Sequence, residues 1–421
     1  MSGSNWVNET GSYGTQGVPA PGNTPGARWG ATSWTDKSGN LWLFGGDVDG
    51  DYNDLWRYSG GEWTWMSGSH QAYHPGVCGT KGTPSPSNVP GPRDSAAGWT
   101  DLQGNLWLFG GSGWDCVGEA GWLNDLWKYS DGEWTWMGGS NLASEYTTVE
   151  QPGIYGVQGV AAPGNVPGPR QNGSAWTDAS GNLWLFGGYG NDSHGVASWL
   201  NDLWKYSGGE WTWMAGSNVI DQSGTYGTQG VAAEGNTPGA RYEAASWTDN
   251  QGNLWLFGGM GAVCQPASII CELNDLWEYK GGQWTWVGGS NTGNQAGIYG
   301  TRGTPGATNV PGGRDGPVSW TDASGNFWLF GGNGLVAMSG ALVYGPVNDL
   351  WEYKAGQWTW VSGSDVAEQP GVYGTQGTPS AANVPGARSL AAGWTDADGN
   401  LWLFGGLSSD PYGTLNDLWE Y

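Results

Sequence analysis

Six arginines raise the first chemical question. Arg28, Arg93, Arg170, Arg241, Arg314 and Arg388 each stand six residues ahead of a tryptophan: Trp34, Trp99, Trp176, Trp247, Trp320 and Trp394. A guanidinium is a planar fork that grips a carboxylate through two parallel hydrogen bonds. A set of six could therefore hold an acidic sugar or an acidic peptide. The competing use is internal. Downstream of each arginine comes an Asn-Asp-Leu-Trp tetrad whose aspartate is Asp54, Asp125, Asp202, Asp275, Asp349 or Asp417. One arginine and one aspartate per repeat favours pairing within the repeat over a single shared ligand.

A second candidate is the acidic loop Asp47, Asp49 and Asp51, with Gly50 allowing a tight turn. Alternate carboxylates suit calcium, which takes hard oxygen ligands. The spacing resembles that of dockerin-type calcium loops but lacks their distal bidentate Glu, and a solvated acidic loop is the simpler alternative. Of the four cysteines, Cys264 and Cys271 lie seven apart, and Cys78 and Cys116 flank the second repeat. Two disulfides in an oxidising compartment are the expectation, against four free buried thiols. No Cys/His spacing suggests zinc. His70 and His74 flank Tyr73 close to Cys78, all within one stretch, while His194 stands apart. No Ser-His-Asp set, phosphate loop or distinctive pair of carboxylates stands out. Aromatics outside the repeated framework, Trp114, Trp122, Trp199 and Tyr344, could stack on sugars or anchor a protein partner; they could equally pack their own loops.

These residues ride on an internal repeat. Leu-Trp-Leu-Phe-Gly-Gly occurs at 41–46, 106–111, 183–188, 254–259 and 401–406, with Phe-Trp-Leu-Phe-Gly-Gly at 327–332. Each is followed by Asn-Asp-Leu-Trp, and the period runs from 65 to 77 residues. In the first repeat, 31–36, 40–46, 53–59 and 62–66 read as four short strands joined by Gly-containing turns. The strand 40–46 is apolar on both faces, unlike a sheet with one wet face. A sheet packed between two similar sheets explains this, and radial packing of four-stranded antiparallel blades is the propeller solution. The first and sixth repeats are as Trp-rich as the middle ones, which favours a closed ring over a capped solenoid. Five tryptophans per full repeat account for 28 of the 33, so most are expected in the core.

The Gly-Gly doublet, the Trp-x-Tyr of the third strand and the Trp of the fourth together resemble the Kelch repeat, across all six units. The resemblance implies an all-β, six-bladed Kelch-type β-propeller forming one domain over 1–421. Its blades are expected at about 28–66, 93–137, 170–214, 241–287, 314–361 and 388–421, with the inner strands lining a central channel and the arginines at its mouth. In the same fold class galactose oxidase carries copper held by His and Tyr with a Cys–Tyr link, and six-bladed relatives epimerise sialic acids. The repeats here are longer than usual. The excess lies in a Gly/Pro-rich link before each blade and in the loop after Gly-Gly, which runs from 6 residues (47–52) to 15 (333–347). Both connections are expected on one face, a constant framework presenting variable loops.

The last repeat ends at Tyr421 without its Trp-Thr-Trp strand, so Asn416, Asp417, Leu418, Trp419, Glu420 and Tyr421 are expected to form an open edge. Met1 falls at the repeat position of Met66 and Met214, so the chain is expected to start within a repeat and the native protein to be longer. The charge of −24, from 38 acidic and 14 basic groups, disfavours nucleic acid and anionic membranes. No apolar run is long enough to span a bilayer. The resulting expectation is a secreted or cell-surface, non-enzymatic module. It would bind protein or glycan through its loop face, with calcium as the one candidate cofactor, and could self-assemble by strand donation into the incomplete blade. The alternative is an enzyme on the same scaffold acting on sugars, of mutarotase or epimerase type; a copper oxidase ranks below it.

Overall fold

Each Trp-rich repeat folds into one antiparallel sheet with its strands in chain order. In blade 1, Thr32–Thr35 pairs with Leu41–Phe44, then Leu55–Ser59, then Glu62–Ser67. The first hairpin is set by Asp36. Its carboxylate accepts the Ser38 and Asn40 amides and, at 2.8 Å, the Trp42 indole N–H. Asp101, Asp178, Asp249, Asp322 and Asp396 repeat the arrangement. A computed structural model describes residues 2–146, 151–261, 271–338, 340–409 and 412–421. Among them there is no helix, and hence none long and apolar enough to cross a membrane.

The second strands are buried on both sides, as in Leu41–Phe44, because neighbouring blades cover them. One core cluster joins Leu41, Leu43, Trp56 and Trp63 of blade 1 to Trp394, Trp402 and Phe404 of the last blade. The ring is therefore closed, with no end face. Directional bonds fix the order of blades. Trp34, Trp99, Trp176, Trp247, Trp320 and Trp394 each donate an indole N–H, at 2.8–3.0 Å, to the carbonyl of Trp107, Trp184, Trp255, Trp328, Trp402 and Trp42 in the next blade. Six such bonds return to the start, so the ring has six blades.

The Gly-Gly doublet serves the same contact between blades. Gly45 and Gly46 have φ of 65° and 91°, and the Gly46 amide donates to the Arg93 carbonyl of blade 2 at 2.9 Å. A Cβ on Gly45 would collide with that carbonyl. The residues after Gly-Gly are not all loops. In blades 2 and 3 the ladder resumes past a bulge as long hairpins, Leu106–Trp114 with Ala120–Ser130 and Leu183–Asn191 with Ala197–Ser207. Arg93–Asp94, the end of the link before blade 2, pairs with Gly113 and Ser112 of such a hairpin. Links and hairpin tips thus share one face. The sixth sheet has the short inner strand Ala392–Thr395 and two long strands, Leu401–Ser409 and Tyr412–Glu420.

Candidate functional site

The six arginines are buried, with Arg28, Arg93, Arg170, Arg241, Arg314 and Arg388 at most 2% exposed. Each forms a two-pronged ion pair with Asp54, Asp125, Asp202, Asp275, Asp349 or Asp417 of its own blade, the Nη1–Oδ1 distances being 2.5–2.8 Å. The Nε and Nη1 groups also donate to backbone carbonyls; for Arg170 these are Gly168 and Gly187. The pairing within each repeat that the spacing favours is what forms, and the alternative of an anion site on these arginines is corrected. Every fork is filled from within its blade, and no guanidinium reaches solvent. In five blades a linker tyrosine adds a further bond to the aspartate: Tyr13, Tyr155, Tyr226, Tyr299 and Tyr373 donate to Oδ2 at 2.7–2.9 Å. In the link before blade 2 that position holds Cys78, which is bonded to Cys116 as expected. Cys271 is buried and disulfide-bonded; its expected partner Cys264 lies outside the described residues.

On the face of the links, six residues directly inside the arginine positions close a ring of their own. Ser95, Asn172, Glu243, Gly316, Leu390 and Gly30 each donate a backbone N–H to the carbonyl of Gly30, Ser95, Asn172, Glu243, Gly316 and Leu390 respectively, at 2.7–3.1 Å. All six have φ between 55° and 64°, although only two are glycine. A non-glycine residue there costs about 1–2 kcal/mol, so the ring of amide bonds must hold this conformation in place. The ring narrows one mouth of the channel. Beneath it lies a cavity of ≈ 440 Å³ lined by the inner strands, including Thr35, Thr100, Thr177, Thr248, Thr321 and Thr395. None of its lining residues is ionisable, and five of the threonine hydroxyls bond to the preceding threonine's carbonyl in turn, as Thr100 does to Thr35 at 3.0 Å. The cavity offers no acid–base chemistry.

Titratable chemistry instead sits outside the ring, at the seams between blades. Two residues before each Asn-Asp-Leu-Trp tetrad stand Asp51, Trp122, Trp199, Glu272, Pro346 and Thr414; one residue after each arginine stand Trp29, Asp94, Gln171, Tyr242, Asp315 and Ser389. The first set of one blade meets the second set of the next. At the seam of blades 1 and 2 this brings Asp51 against Asp94; burial, then repulsion from Asp94, pushes Asp51 up to about 8, and burial pushes Asp94 up to about 6. At the opposite seam, of blades 4 and 5, burial and then Asp315 push Glu272 up to about 10. Glu243 joins this second group, its carboxyl raised well above its usual range by burial and by Asp315. Asp315 accepts the Tyr344 hydroxyl at 2.8 Å and the Asn333 amide at 3.0 Å, while Asn172 donates to Glu243 at 2.9 Å. Each seam thus holds a carboxyl pair that keeps a proton near neutrality.

The three aspartates of the 47–54 loop are not gathered around a cation. Asp47 is bridged through its backbone to Trp29 and Asp51, the Asp49 carbonyl accepts the Tyr73 hydroxyl at 3.2 Å, and Asp51 turns to Asp94. Among the described residues no group of three His, Cys, Asp or Glu side chains is disposed to hold a metal ion. The loop's third carboxyl is taken by a neighbouring blade, so this arrangement lends the calcium alternative no support. The copper comparison is corrected, because Cys78 is joined to Cys116, and His70 packs on Tyr13 and Trp65.

The aromatics form an arc between the two acidic seams. Tyr146 packs on Trp122, Trp122 on Tyr189, Tyr189 on Trp199, and Trp199 on Tyr242, with centroids 5.1–6.3 Å apart. Trp122 is buried, so it supports the arc and does not offer a stacking face, whereas Tyr146 and Tyr344 are 45% and 48% exposed. Trp114 packs edge-on to Tyr73, and the Trp199 indole N–H has no hydrogen-bond partner among the described residues. Sequence reasoning missed the seam carboxyls. Their signal was available: an acid at both offsets, two before the tetrad and one after the next arginine, occurs at these two seams alone.

No protein-family model matches this sequence, and no curated protein does. Among solved structures the chain is similar to one described as the structure of YjhT, at 13% identity and a TM-score of 0.53, covering 96% of this chain and 95% of that one. It is also similar to a fungal alcohol oxidase of the AA5 family in complex with copper, at 12% identity and a TM-score of 0.44, covering 95% of this chain and 73% of that one.

Proposed function

We infer that the function of this Kelch-like β-propeller is carried by its own seams and loops, because fold alone does not set function. We propose that this protein is an extracellular or cell-surface recognition module that binds a neutral or amino-bearing glycan on the loop face. One observation carries the reading: the arc from Tyr146 to Tyr242 runs directly into Glu243 and the Glu272–Asp315 seam, with Tyr344 half exposed beside it. Aromatic faces take the apolar faces of sugars, and carboxylates accept their hydroxyls or pair with an amino group. The Cys78–Cys116 bond fits an oxidising compartment. A glycan array with the intact protein, and with Tyr146→Ala and Tyr344→Ala, tests it. Binding that both substitutions weaken supports the reading; no bound glycan, or binding untouched by either, overturns it.

A second reading is favoured by one feature, the carboxyls of Glu243 and Glu272, both raised by burial and by Asp315, gathered at the blade 4–5 seam. Interconverting the anomers of a reducing sugar needs one proton donor and one acceptor and no cofactor. Exchange between anomer signals by NMR, with Glu243→Gln as the control, distinguishes this reading from binding alone. Exchange no faster than buffer leaves recognition as the function.

A further inference from the structure

In five blades the link before the blade clamps that blade's outermost strand. Gly17, Gly82, Gly159, Gly230 and Gly303 each donate a backbone N–H, at 2.8 Å, to the carbonyl of Trp65, Trp136, Trp213, Trp286 and Trp360. Asn23, Asn88, Asn165, Asn236 and Asn309 donate a side-chain amide to the carbonyl two residues earlier, on Trp63, Trp134, Trp211, Trp284 and Trp358, at 3.0–3.2 Å. The sixth link has the same parts. Gly377 and Asn383 stand in the clamping positions, but Asn383 donates only to Thr378 of its own link.

The facing strand is equally prepared. Trp419 lies under Tyr373, 5.0 Å between centroids, as Trp204 lies under Tyr155. Yet Trp419 is partly exposed where Trp56, Trp127, Trp204, Trp277 and Trp351 are fully buried. Tyr421 is 60% exposed, while its counterparts Tyr58, Tyr129, Tyr206 and Tyr279 are 9% or less. Ser2–Ser4 marks the far end of the slot. Leu418 donates to the Ser2 carbonyl at 3.0 Å and Ser4 donates to the Asn416 side chain at 3.0 Å. Ser67–Ser69, at the end of the outer strand of blade 1, meets Leu55 and Asn53 in the same register.

We propose that this slot, between Leu418–Tyr421 and the link at 373–383, is a docking groove for one extended strand of Trp-Thr-Trp pattern. The strand would lie antiparallel to Tyr412–Glu420 with its C-terminal end toward Ser2. Backbone pairing supplies the affinity in such strand addition, and the pockets for alternate side chains supply the specificity. The pockets here are those that hold two tryptophans in each complete blade, so the occupant is defined by internal precedent.

The test is fluorescence anisotropy of the full chain with a labelled peptide of the sequence of residues 355–361, Ala-Gly-Gln-Trp-Thr-Trp-Val. One-to-one saturable binding and a raised melting temperature are expected. A peptide with Pro in place of the central Thr loses a ladder donor and should bind about tenfold more weakly or worse. Register is checked by Glu420→Cys with a peptide carrying Cys in place of Thr, since Glu352 faces Thr359 in blade 5. A disulfide at that position, and not with Cys in place of Gln or Val, supports the proposal. Absence of saturable binding, equal binding of the proline peptide, or cross-linking without positional preference overturns it. So does a dimer of the free chain that excludes the peptide, which would assign the edge to a second copy.

Discussion

Removing one carboxylate from blade 3 gives the sharpest test of how the arginines are used. Asp202 accepts four hydrogen bonds: Arg170 Nη1 at 2.6 Å, Arg170 Nη2 at 2.8 Å, the Tyr155 hydroxyl at 2.7 Å and the Trp204 indole at 2.7 Å. Asp202→Ala leaves a fully buried guanidinium without its counter-charge. Breaking a buried pair this way costs about 3–5 kcal/mol. The Tyr155 and Trp204 donors are orphaned as well, at about 1–3 kcal/mol each when nothing replaces the acceptor. These terms overlap, so a loss of about 5 kcal/mol is the expected total. Arg170→Ala should cost somewhat less, because Tyr155 and Trp204 continue to bond the carboxylate. The double variant removes both charges together and should be less destabilised than the sum of the two by about 2 kcal/mol or more, the mark of a direct partnership. Urea denaturation followed by tryptophan fluorescence measures all three. Single variants within about 0.5 kcal/mol of the parent, as at ordinary surface sites, or strict additivity in the double, would refute the reasoning and return the arginines to a ligand.

Three further outcomes follow from the geometry. The seam carboxyls are held above their usual value of about 4, Asp51 up to about 8 and Glu272 up to about 10, so the folded protein binds more protons than the unfolded chain between these values. Stability should therefore fall as pH rises from about 5 to 9, and Asp51→Asn with Glu272→Gln should flatten the dependence of melting temperature on pH; a parent that grows more stable over this range contradicts the assignment. The Cys78–Cys116 bond closes a loop with a sequence separation of 38, and its loss in Cys78→Ser/Cys116→Ser should cost about 3–4 kcal/mol on the chain-entropy account, read as a lowered urea midpoint under non-reducing conditions. Trp99→Phe keeps the ring but deletes the 2.8 Å bond to the Trp184 carbonyl, so a loss of about 1–2 kcal/mol with faster amide exchange at the seam of blades 2 and 3 is expected; unchanged exchange there would show that the bond does not join the blades.

The framework was legible because it repeats. Leu41 and Leu43 lie on one face of the second strand and Trp42 and Phe44 on the other, as do their counterparts, and only burial between two sheets explains that pattern. The arginine–aspartate pairing was legible as one of two alternatives, since equal counts at fixed offsets suit an internal bond. The hairpins after Gly-Gly were less so. Their residues, such as Ser112 and Gly113, carry no strand preference, and the ladder is extended by pairing with Arg93–Asp94 from the preceding link. The acid seams were hidden for a related reason. Asp51 and Asp94 are 43 residues apart in different blades, and reading one repeat at a time never sets them side by side. The backbone ring at the channel mouth gave even less signal, because Ser95, Asn172, Glu243 and Leu390 occupy left-handed positions where glycine is the usual choice.

The same comparison says where a ligand would be read. A position repeated in all six blades presents the same group every sixth of a turn, so it cannot orient a ligand smaller than the ring. The buried arginines, the inner tryptophans and the threonines of the channel are of this kind. The seam positions are not. Carboxyl pairs occupy two opposed seams; between them on one side lie Trp122 against Gln171 and Trp199 against Tyr242, and on the other Pro346 beside Ser389 and Thr414 beside Trp29. One half of the face is therefore an aromatic arc bounded by acids at both ends, and the other half is mostly small and uncharged. Glu243 then breaks the two-fold relation of the acid pairs: at the corresponding place in blade 1 stands Gly30, and the third carboxyl acting on the blade 1–2 pair is instead Asp47 of the acidic loop. A structurally uniform ring needs neither asymmetry for closure, since the indole bonds and the backbone ring are complete in all six blades. The departures from six-fold repetition at Glu243, Glu272, Asp315 and Tyr344 thus have no role in building the propeller, and they lie where the aromatic arc, through Tyr242, meets the three carboxyls of the blade 4–5 seam.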